Sequence, residues 1–90
     1  MQFEWDAAKA AANVLKHGVD FNEASTVFAD DLAATGRDPD HSIDEARFLT
    51  FWLSKKGRVL AVSHTDRGGV VRIVSARAAT RKEKQIYEES

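Results

Sequence analysis

Residues 47–77, RFLTFWLSKKGRVLAVSHTDRGGVVRIVSAR, hold three apolar segments that two short polar turns separate. The first segment alternates as a strand does, with Arg47, Leu49, Phe51 and Leu53 on one face and Phe48, Thr50 and Trp52 on the other. Lys56-Gly57 and Asp66-Arg67-Gly68-Gly69 are typical turn sequences. Consecutive strands joined by tight turns predict an antiparallel meander, with the second and third strands at about residues 58–65 and 70–76.

Capping signals on either side of this meander predict three helices. Asp6 is a favourable N-cap for the alanine-rich residues 7–16, and His17-Gly18 would close that helix. Residues 20–23 and 80–83 resemble capping boxes, in which an N-cap side chain and a Glu three residues later bond each other's free amides. They predict a second helix at about residues 21–29 and a last helix at about residues 81–88.

The remaining segments complete an α+β fold. Residues 3–5 alternate and predict a short first strand, whereas the polar residues 30–44, with Gly36 and Pro39, predict a surface loop. The expected order is β-α-α-β-β-β-α, a compact domain in which helices pack on an antiparallel sheet. Ninety residues suit one domain, spanning residues 1–90.

Composition excludes several classes of protein. The chain has no cysteine, which rules out disulfide frameworks, thiolate metal sites and cysteine nucleophiles and fits a cytoplasmic location. Its longest apolar run, Val59–Val62, is four residues long, so no association with a membrane is expected. No histidine spacing resembles a metal-binding motif, so the sequence predicts neither a metal site nor a cofactor.

The net charge of −1 hides a strong asymmetry. Residues 1–45 carry ten acidic and three basic residues, and residues 46–90 carry ten basic and four acidic residues. A basic half can present a local field to a polyanion or an acidic partner, because local potential matters more than total charge. The alternative is that the two halves neutralise each other across the fold.

Three segments, in order, resemble the BrnT family of bacterial toxins along almost the full length of the chain. The matching residues are Phe3-Glu4-Trp5-Asp6 with Lys9, Asn13 and Lys16-His17-Gly18-Val19, continuing into Phe21, Glu23, Ala24, Val27 and Phe28; Asp38-Pro39-Asp40-His41-Ser42 with Glu45 and Arg47-Phe48; and Gly57-Arg58, Thr65, Arg67, Arg72-Ile73-Val74-Ser75-Ala76-Arg77, Glu83 and Tyr87. One departure is Ser63-His64-Thr65, where relatives often read Val-Tyr-Thr.

The resemblance implies a RelE-like ribonuclease fold and the toxic half of a type II toxin–antitoxin pair. It also implies an RNA substrate and a BrnA-like antitoxin that binds operator DNA and blocks the toxin in an oligomeric complex. On this reading the protein cleaves RNA without a metal and inhibits translation. The alternative is a non-catalytic module that binds RNA or protein through the basic C-terminal half.

Cleavage of RNA without a metal needs a base, cationic donors for the phosphorane and an acid for the leaving oxygen. Arginine suits the second task because its planar fork meets phosphate oxygens in pairs. The candidate catalytic residues are Arg72, Arg77, Glu45, His17 and Tyr87. The candidate substrate-binding residues are Lys9, Lys16, Arg47, Arg67 and Arg81.

Each candidate also has a structural explanation. Arg72 fits a surface ion pair, Glu45 fits an ion pair with an arginine, and His17 fits a helix cap. Tyr87 can anchor the last helix, and Lys9 and Lys16 can be solvated helix lysines. Because Arg72 and Arg77 are five residues apart, they share a strand face only if the strand ends or bulges between them.

Overall fold

The computed structural model describes residues 1–38 and 46–89. The elements, in chain order, are β1 (Gln2–Glu4), α1 (Ala7–His17), α2 (Phe21–Ser25) with a 3₁₀ turn (Thr26–Ala29), β2 (Ala34–Arg37), β3 (Phe48–Leu53), β4 (Val59–Arg67), β5 (Val70–Ala78) and α3 (Arg81–Glu88). The α+β class is confirmed. No helix within these residues is long and apolar enough to cross a membrane.

The predicted meander forms the centre of a five-stranded sheet of order β1-β5-β4-β3-β2. Strand β4 pairs antiparallel with β3 on one side and with β5 on the other, as the sequence predicts. Gly68 and Gly69 connect β4 to β5 with φ angles of 55° and 85°. Two consecutive residues with positive φ match the right-handed twist of a hairpin, and glycine adopts such angles without strain.

The two outer strands differ from the expected arrangement. Residues 34–37, predicted as loop, form β2 and pair antiparallel with β3. The polar, glycine-containing segment has little β-propensity of its own, and pairing with β3 supplies the missing partner, aided by a Thr35–Thr50 hydroxyl contact of 2.6 Å. Strand β1 pairs parallel with β5, so the sheet is mixed and not purely antiparallel.

The hydrophobic core lies between one face of this sheet and the segment that contains α2. Phe21, Ala24 and Val27, predicted to share a helix face, are fully or almost fully buried. They join a cluster with strand residues that include Leu60, Val62, Ile73 and Ala76. The predicted second helix is present as α2 and the 3₁₀ turn. Burial of this apolar face, more than helix propensity, holds so short a helix in place.

Helix α1 docks on the edge of β5 through one buried side chain. Asn13 Nδ2 donates to the carbonyls of Val19 and Ala76, at 2.8 Å each, and Asn13 Oδ1 accepts from the Ala76 amide at 3.1 Å. Strand β1 pairs with β5 only at residues 70–72. Asn13 therefore bonds the backbone of β5 at a position beyond the reach of β1.

Local caps agree with the sequence. The Asp6 side chain accepts from the Lys9 amide, and Gly18 closes α1 in the left-handed conformation. Thr80 and Glu83 form the complete capping box predicted for α3. In α2 only half of the box forms: Asp20 accepts from the Glu23 amide, and the Glu23 carboxylate binds elsewhere.

Candidate functional site: an arginine-lined sheet face

A β-bulge in β5 decides which way its two arginines point. Ser75 pairs with Ser63 and Ile73 pairs with His64, so Val74 has no partner on β4. Arg72 lies opposite Thr65 and Arg77 lies opposite Ala61. Thr65 and Ala61 are four residues apart on β4, and directly paired residues share a face. The extra residue therefore brings Arg72 and Arg77 to the same face of the sheet.

This face points away from the core, because Val71, Ile73 and Ala76 fill the core from the other side of β5. Two further arginines share it. Arg67 stands two residues after Thr65 on β4. Arg47 immediately precedes Phe48, which stacks on the core-facing His64 ring. We call the sheet face that carries Arg47, Arg67, Arg72 and Arg77 the arginine face.

One row of residues crosses this face perpendicular to the strands. Glu4 pairs with Arg72, and Arg72 pairs with Thr65. The ladder between β3 and β4 ends at the pair Phe48–His64, and continuing its register by one residue puts Arg47 opposite Thr65. The Asp38 amide donates to the Arg47 carbonyl at 2.8 Å, which extends the row to the end of β2. We call Glu4, Arg72, Thr65, Arg47 and Asp38 the Thr65 row.

The two arginines of β5 each form an ion pair with a carboxylate, and the two ion pairs differ in geometry and exposure. Arg72 Nη1 donates to Glu4 Oε2 at 2.8 Å, and both side chains are substantially exposed, at 38% and 46%. Arg77 forms a two-pronged pair with Glu83, at 2.8 and 3.1 Å, and the Glu83 side chain is only 15% exposed. The hydrogen bonds from Arg77 lower the pKa of Glu83, and those bonds in turn raise the pKa of Arg77.

Two polar atoms of the Thr65 row lack a hydrogen-bond partner. Among the described residues, Thr65 Oγ1 and Arg47 Nε are the buried side-chain atoms with no partner. Thr65 is 4% exposed. A buried polar group left unpaired is destabilising, and native proteins retain few of them. Thr65 is not among the residues predicted to bind or cleave substrate, because a threonine in an alternating strand is also what sheet propensity favours.

The other candidates lie away from this face or outside the description. His17, Lys9 and Lys16 are exposed on α1, at the edge of the sheet. Arg81 is the exposed first residue of α3. Tyr87 packs edge-on against Trp52, with ring centroids 4.5 Å apart, which is the contact expected of a packing anchor. Glu45 lies outside the described residues.

His64, the residue that departs from the family pattern, belongs to the core side. It is 2% exposed, and its Nε2 lies 2.7 Å from Thr50 Oγ1 and its Nδ1 lies 2.8 Å from Asp66 Oδ1. Its ring packs against Phe28 and Phe48. Both ring nitrogens are thus occupied, and the sheet separates this histidine from the arginine face.

No group of three or more metal-ligating side chains occurs within residues 1–38 and 46–89. The arginine face holds four guanidinium groups, and the carboxylates of Glu4, Asp38 and Glu83 lie among them. Guanidinium groups are always protonated and match phosphate oxygens in geometry. Fold and site together define a small α+β protein with a cationic sheet face suited to a polyanion.

The chain belongs to the BrnT family, because the model of the family described as the ribonuclease toxin, BrnT, of type II toxin–antitoxin systems matches residues 5–83. Membership confirms the resemblance seen in the sequence, and it implies an RNA target and an antitoxin partner. The matched range includes all four arginines of the arginine face.

A solved structure supports the fold. The chain is similar to the ribonuclease toxin BrnT of Brucella abortus, with 23% sequence identity and a TM-score of 0.65. The alignment covers 90% of this chain and 99% of the Brucella chain. A search of curated protein sequences finds no significant match.

Proposed function

We propose that this protein is a metal-independent endoribonuclease that inhibits translation and uses the arginine face to bind and cleave RNA. One observation carries the proposal: the bulge at Val74 brings Arg77 to the sheet face of Arg72, the face that Arg47 and Arg67 share. In a regular strand Arg77 would point into the core side, where a charge is costly. A ladder irregularity that redirects a side chain is a common device beside active sites.

The reaction is a transfer of the phosphate to the neighbouring 2′-oxygen. The 2′-OH loses its proton to a base, its oxygen attacks phosphorus, and the 5′-oxygen leaves with a proton from an acid. The products are a 2′,3′-cyclic phosphate and a free 5′-OH. Arg72 and Arg77 stabilise the additional negative charge of the phosphorane, which is the role that guanidinium groups on the face can fill without a metal.

Arg77 and Arg72 divide this work in our proposal. The two-pronged contact with Glu83 and a bond from Nη1 to the Ala78 carbonyl at 3.3 Å fix the orientation of the Arg77 guanidinium. Its Nε–H and one Nη2–H are left for substrate. Arg72 exchanges its exposed partner Glu4 for phosphate. Arg47 and Arg67 contact neighbouring phosphates, and Lys9, Lys16 and Arg81 contact RNA at greater distance. Glu45, two residues before Arg47 in the sequence, is the candidate base, with His17 and Tyr87 as further candidates.

The partner of this face is a BrnA-like antitoxin that also binds operator DNA, in a cytoplasmic and oligomeric complex. The antitoxin neutralises the toxin by covering its arginines. A polypeptide that covers Arg72 or Arg77 keeps RNA away from both. Acidic side chains are the groups that best satisfy exposed guanidinium forks. Expression of the chain alone is therefore expected to arrest bacterial growth, and co-expression of the adjacent small gene is expected to restore it.

The test is RNA cleavage by purified protein carrying Arg72→Ala, Arg77→Ala or the corresponding Lys substitutions, in EDTA and at two salt concentrations. Loss of one phosphorane donor is expected to lower the rate by roughly 10²–10³. Lysine keeps the charge but loses the fork, so the Lys variants are also expected to be impaired. Arg37→Ala is the matched control, because Arg37 pairs with Phe48 and therefore lies on the opposite face of the sheet.

Three results would contradict the proposal. Cleavage at wild-type rates by the folded Arg→Ala variants excludes the arginine face as the catalytic surface. Activity that EDTA abolishes and a divalent ion restores excludes the metal-independent mechanism. RNA binding that tolerates lysine, falls steeply with salt and produces no cleavage supports the non-catalytic binding module instead.

A further inference from the structure

The centre of the Thr65 row combines two unsatisfied polar atoms with two cations. Thr65 Oγ1 and Arg47 Nε are buried and lack partners, and Arg72 is the cross-strand neighbour of Thr65. A hydroxyl donates one hydrogen bond and a guanidinium Nε–H donates another. Groups of this kind are the usual donors to phosphate oxygens. Within the described residues, neither Thr65 Oγ1 nor Arg47 Nε has a hydrogen-bond acceptor.

We propose that this point of the arginine face is the cradle for one phosphate group of the RNA backbone, with Thr65 as a phosphate-binding residue. The inference rests on the proposed function and adds to it the place at which one substrate phosphate is held. This phosphate is the neighbour of the scissile one. Thr65 donates from its hydroxyl and Arg47 from Nε, and Arg72 donates from one edge of its fork while the other edge faces the phosphorane. The acidic ends of the row, Glu4 and Asp38, flank the cradle on either side.

The free-energy cost of leaving Thr65 Oγ1 and Arg47 Nε buried without partners is the physical reason for assigning a ligand to them. An unpaired buried hydroxyl destabilises the fold, whereas valine at the same position would have a similar shape and higher β-propensity. Elsewhere on the same sheet the chain satisfies such groups: the buried Thr50 hydroxyl lies 2.6 Å from Thr35 Oγ1 and 2.7 Å from His64 Nε2. Thr65 lacks such partners, and a bound phosphate oxygen would supply one.

Entry of phosphate requires Arg72 to change partner. Its present partner, the Glu4 carboxylate, is an anion at 2.8 Å, with both side chains exposed. Exposed ion pairs of this kind contribute little to stability, so exchange of one anion for another is easy. Arg72 is the cross-strand neighbour of Thr65. A phosphate that replaces Glu4 as the partner of Arg72 therefore binds next to the Thr65 hydroxyl.

The test compares Thr65→Val with the matched control Thr50→Val. Both changes remove a buried strand hydroxyl, one without a partner and one with two. In thermal melting without ligand, Thr65→Val is expected to raise Tm by about 5 °C, and Thr50→Val is expected to lower it. In steady-state cleavage of an RNA oligonucleotide, Thr65→Val is expected to raise KM about 10- to 100-fold, and Thr50→Val is expected to leave KM unchanged.

Inorganic phosphate provides a readout that does not depend on catalysis. Phosphate stabilises most proteins by exclusion from their surfaces, so the quantity of interest is the difference between the variants. Wild type and Thr50→Val are expected to gain about 5 °C more in Tm than Thr65→Val does, because only they retain the site. Free phosphate is also expected to compete with RNA more strongly for wild type than for Thr65→Val, in which only the arginines remain to bind it.

The outcomes separate this inference from the proposed function. A Thr65→Val protein with unchanged KM and an unchanged response to phosphate overturns the cradle, while impaired Arg72 and Arg77 variants still support the arginine face. A loss of Tm in Thr65→Val equal to that in Thr50→Val also overturns it, since the hydroxyl would then have a structural role. Wild-type protein that binds phosphate at Thr65 but cleaves no RNA supports the cradle and contradicts the enzyme.

Discussion

The Glu23 carboxylate and the Thr65 row are two polar clusters that differ in how fully their groups are bonded. The Glu23 side chain is 1% exposed and accepts from Ser54 Oγ at 2.7 Å and from Arg58 at 2.7 and 2.8 Å. The Arg58 guanidinium also donates to the Gly18 carbonyl. In the Thr65 row, by contrast, a buried hydroxyl and a buried guanidinium N–H remain unpaired.

The bonds of the Glu23 carboxylate have a structural role, whereas the unpaired groups of the Thr65 row are those that the proposed phosphate site uses. Each bond of the Glu23 cluster joins distant parts of the chain, since α2 is tied both to the β3–β4 turn and, through Arg58, to the end of α1. A fully bonded buried charge favours one arrangement of the fold, and removing one partner is costly. A cluster with unfilled hydrogen-bonding capacity is less stable than it could be, and a ligand that fills this capacity offsets the cost.

The largest expected effect is the loss of the Glu23 charge. Glu23→Gln places an amide where Arg58 and Ser54 require an acceptor, and breaking a buried pair of this kind costs about 3 kcal/mol. For a chain of this size the expected fall in Tm exceeds about 10 °C. The measurement is thermal melting followed by circular dichroism. Glu88→Gln, on the exposed last turn of α3, is the control and should melt with wild type.

If Glu23→Gln has wild-type stability, the hydrogen bonds of Glu23 with Ser54 and Arg58 do not stabilise the fold. The Glu23 carboxylate would then not differ from the Thr65 row in its contribution to stability. A folded variant assayed well below its Tm should cleave RNA at the wild-type rate, because Glu23 lies at the core side of the sheet. Reduced cleavage by molecules that are still folded would show that the two clusters are not independent.

An intermediate effect is expected from acid. Hydrogen bonds from Arg58 lower the pKa of Glu23, and those from Arg77 lower the pKa of Glu83. A carboxyl whose pKa is lower in the folded state contributes its full stabilisation above its unfolded pKa of about 4.3. That stabilisation is lost as pH falls through the folded-state pKa. The Tm difference between wild type and Glu23→Gln should therefore narrow between pH 5 and pH 2, and a constant difference would argue against the ion pair.

The smallest expected effect comes from the rim of the Thr65 row. Glu4→Gln removes the anion that competes with phosphate for Arg72, and the exposed pair contributes no more than about 1 kcal/mol to stability. Melting is expected to be nearly unchanged, while KM for RNA falls by roughly 2- to 5-fold, the equivalent of up to 1 kcal/mol. An increase in KM would mean that Glu4 holds Arg72 in its productive position and does not compete with substrate.

What the sequence predicts well is what depends on neighbouring residues. The caps at Asp6, Gly18 and Thr80 and the turn at Gly68-Gly69 are local bonds or local backbone angles, and the structure reproduces them. Strand β2 was missed because its four residues become a strand only through pairing with β3. The arginines of the candidate site could be predicted from their residue type. That they lie on one face of the sheet could not, because this depends on the pairing register of the folded strands.

The bulge and the orphan hydroxyl show the same limit more sharply. Nothing in the letters around Val74 distinguishes a bulged strand from a regular one, because the extra residue is defined by counting against β4. Thr65 is one of the residues that resemble the BrnT family, but no local pattern shows that its hydroxyl is left without a partner in the folded sheet. The bulge is a mismatch in length between two paired strands, and the unpaired hydroxyl is a missing contact. Sequence patterns report on neighbouring residues and therefore detect neither.

Asn13 also has a consequence for how the protein behaves in a crowded solution. A strand edge that offers a free amide and a free carbonyl is a template on which a second chain can add itself and begin an aggregate. One carboxamide, fixed on α1, occupies both groups of Ala76 and so blocks the outer edge of β5 at that point. The Asn13 side chain thus protects this part of the sheet edge from pairing with another chain. Without it, a longer β1 would be needed to cover the same position of β5.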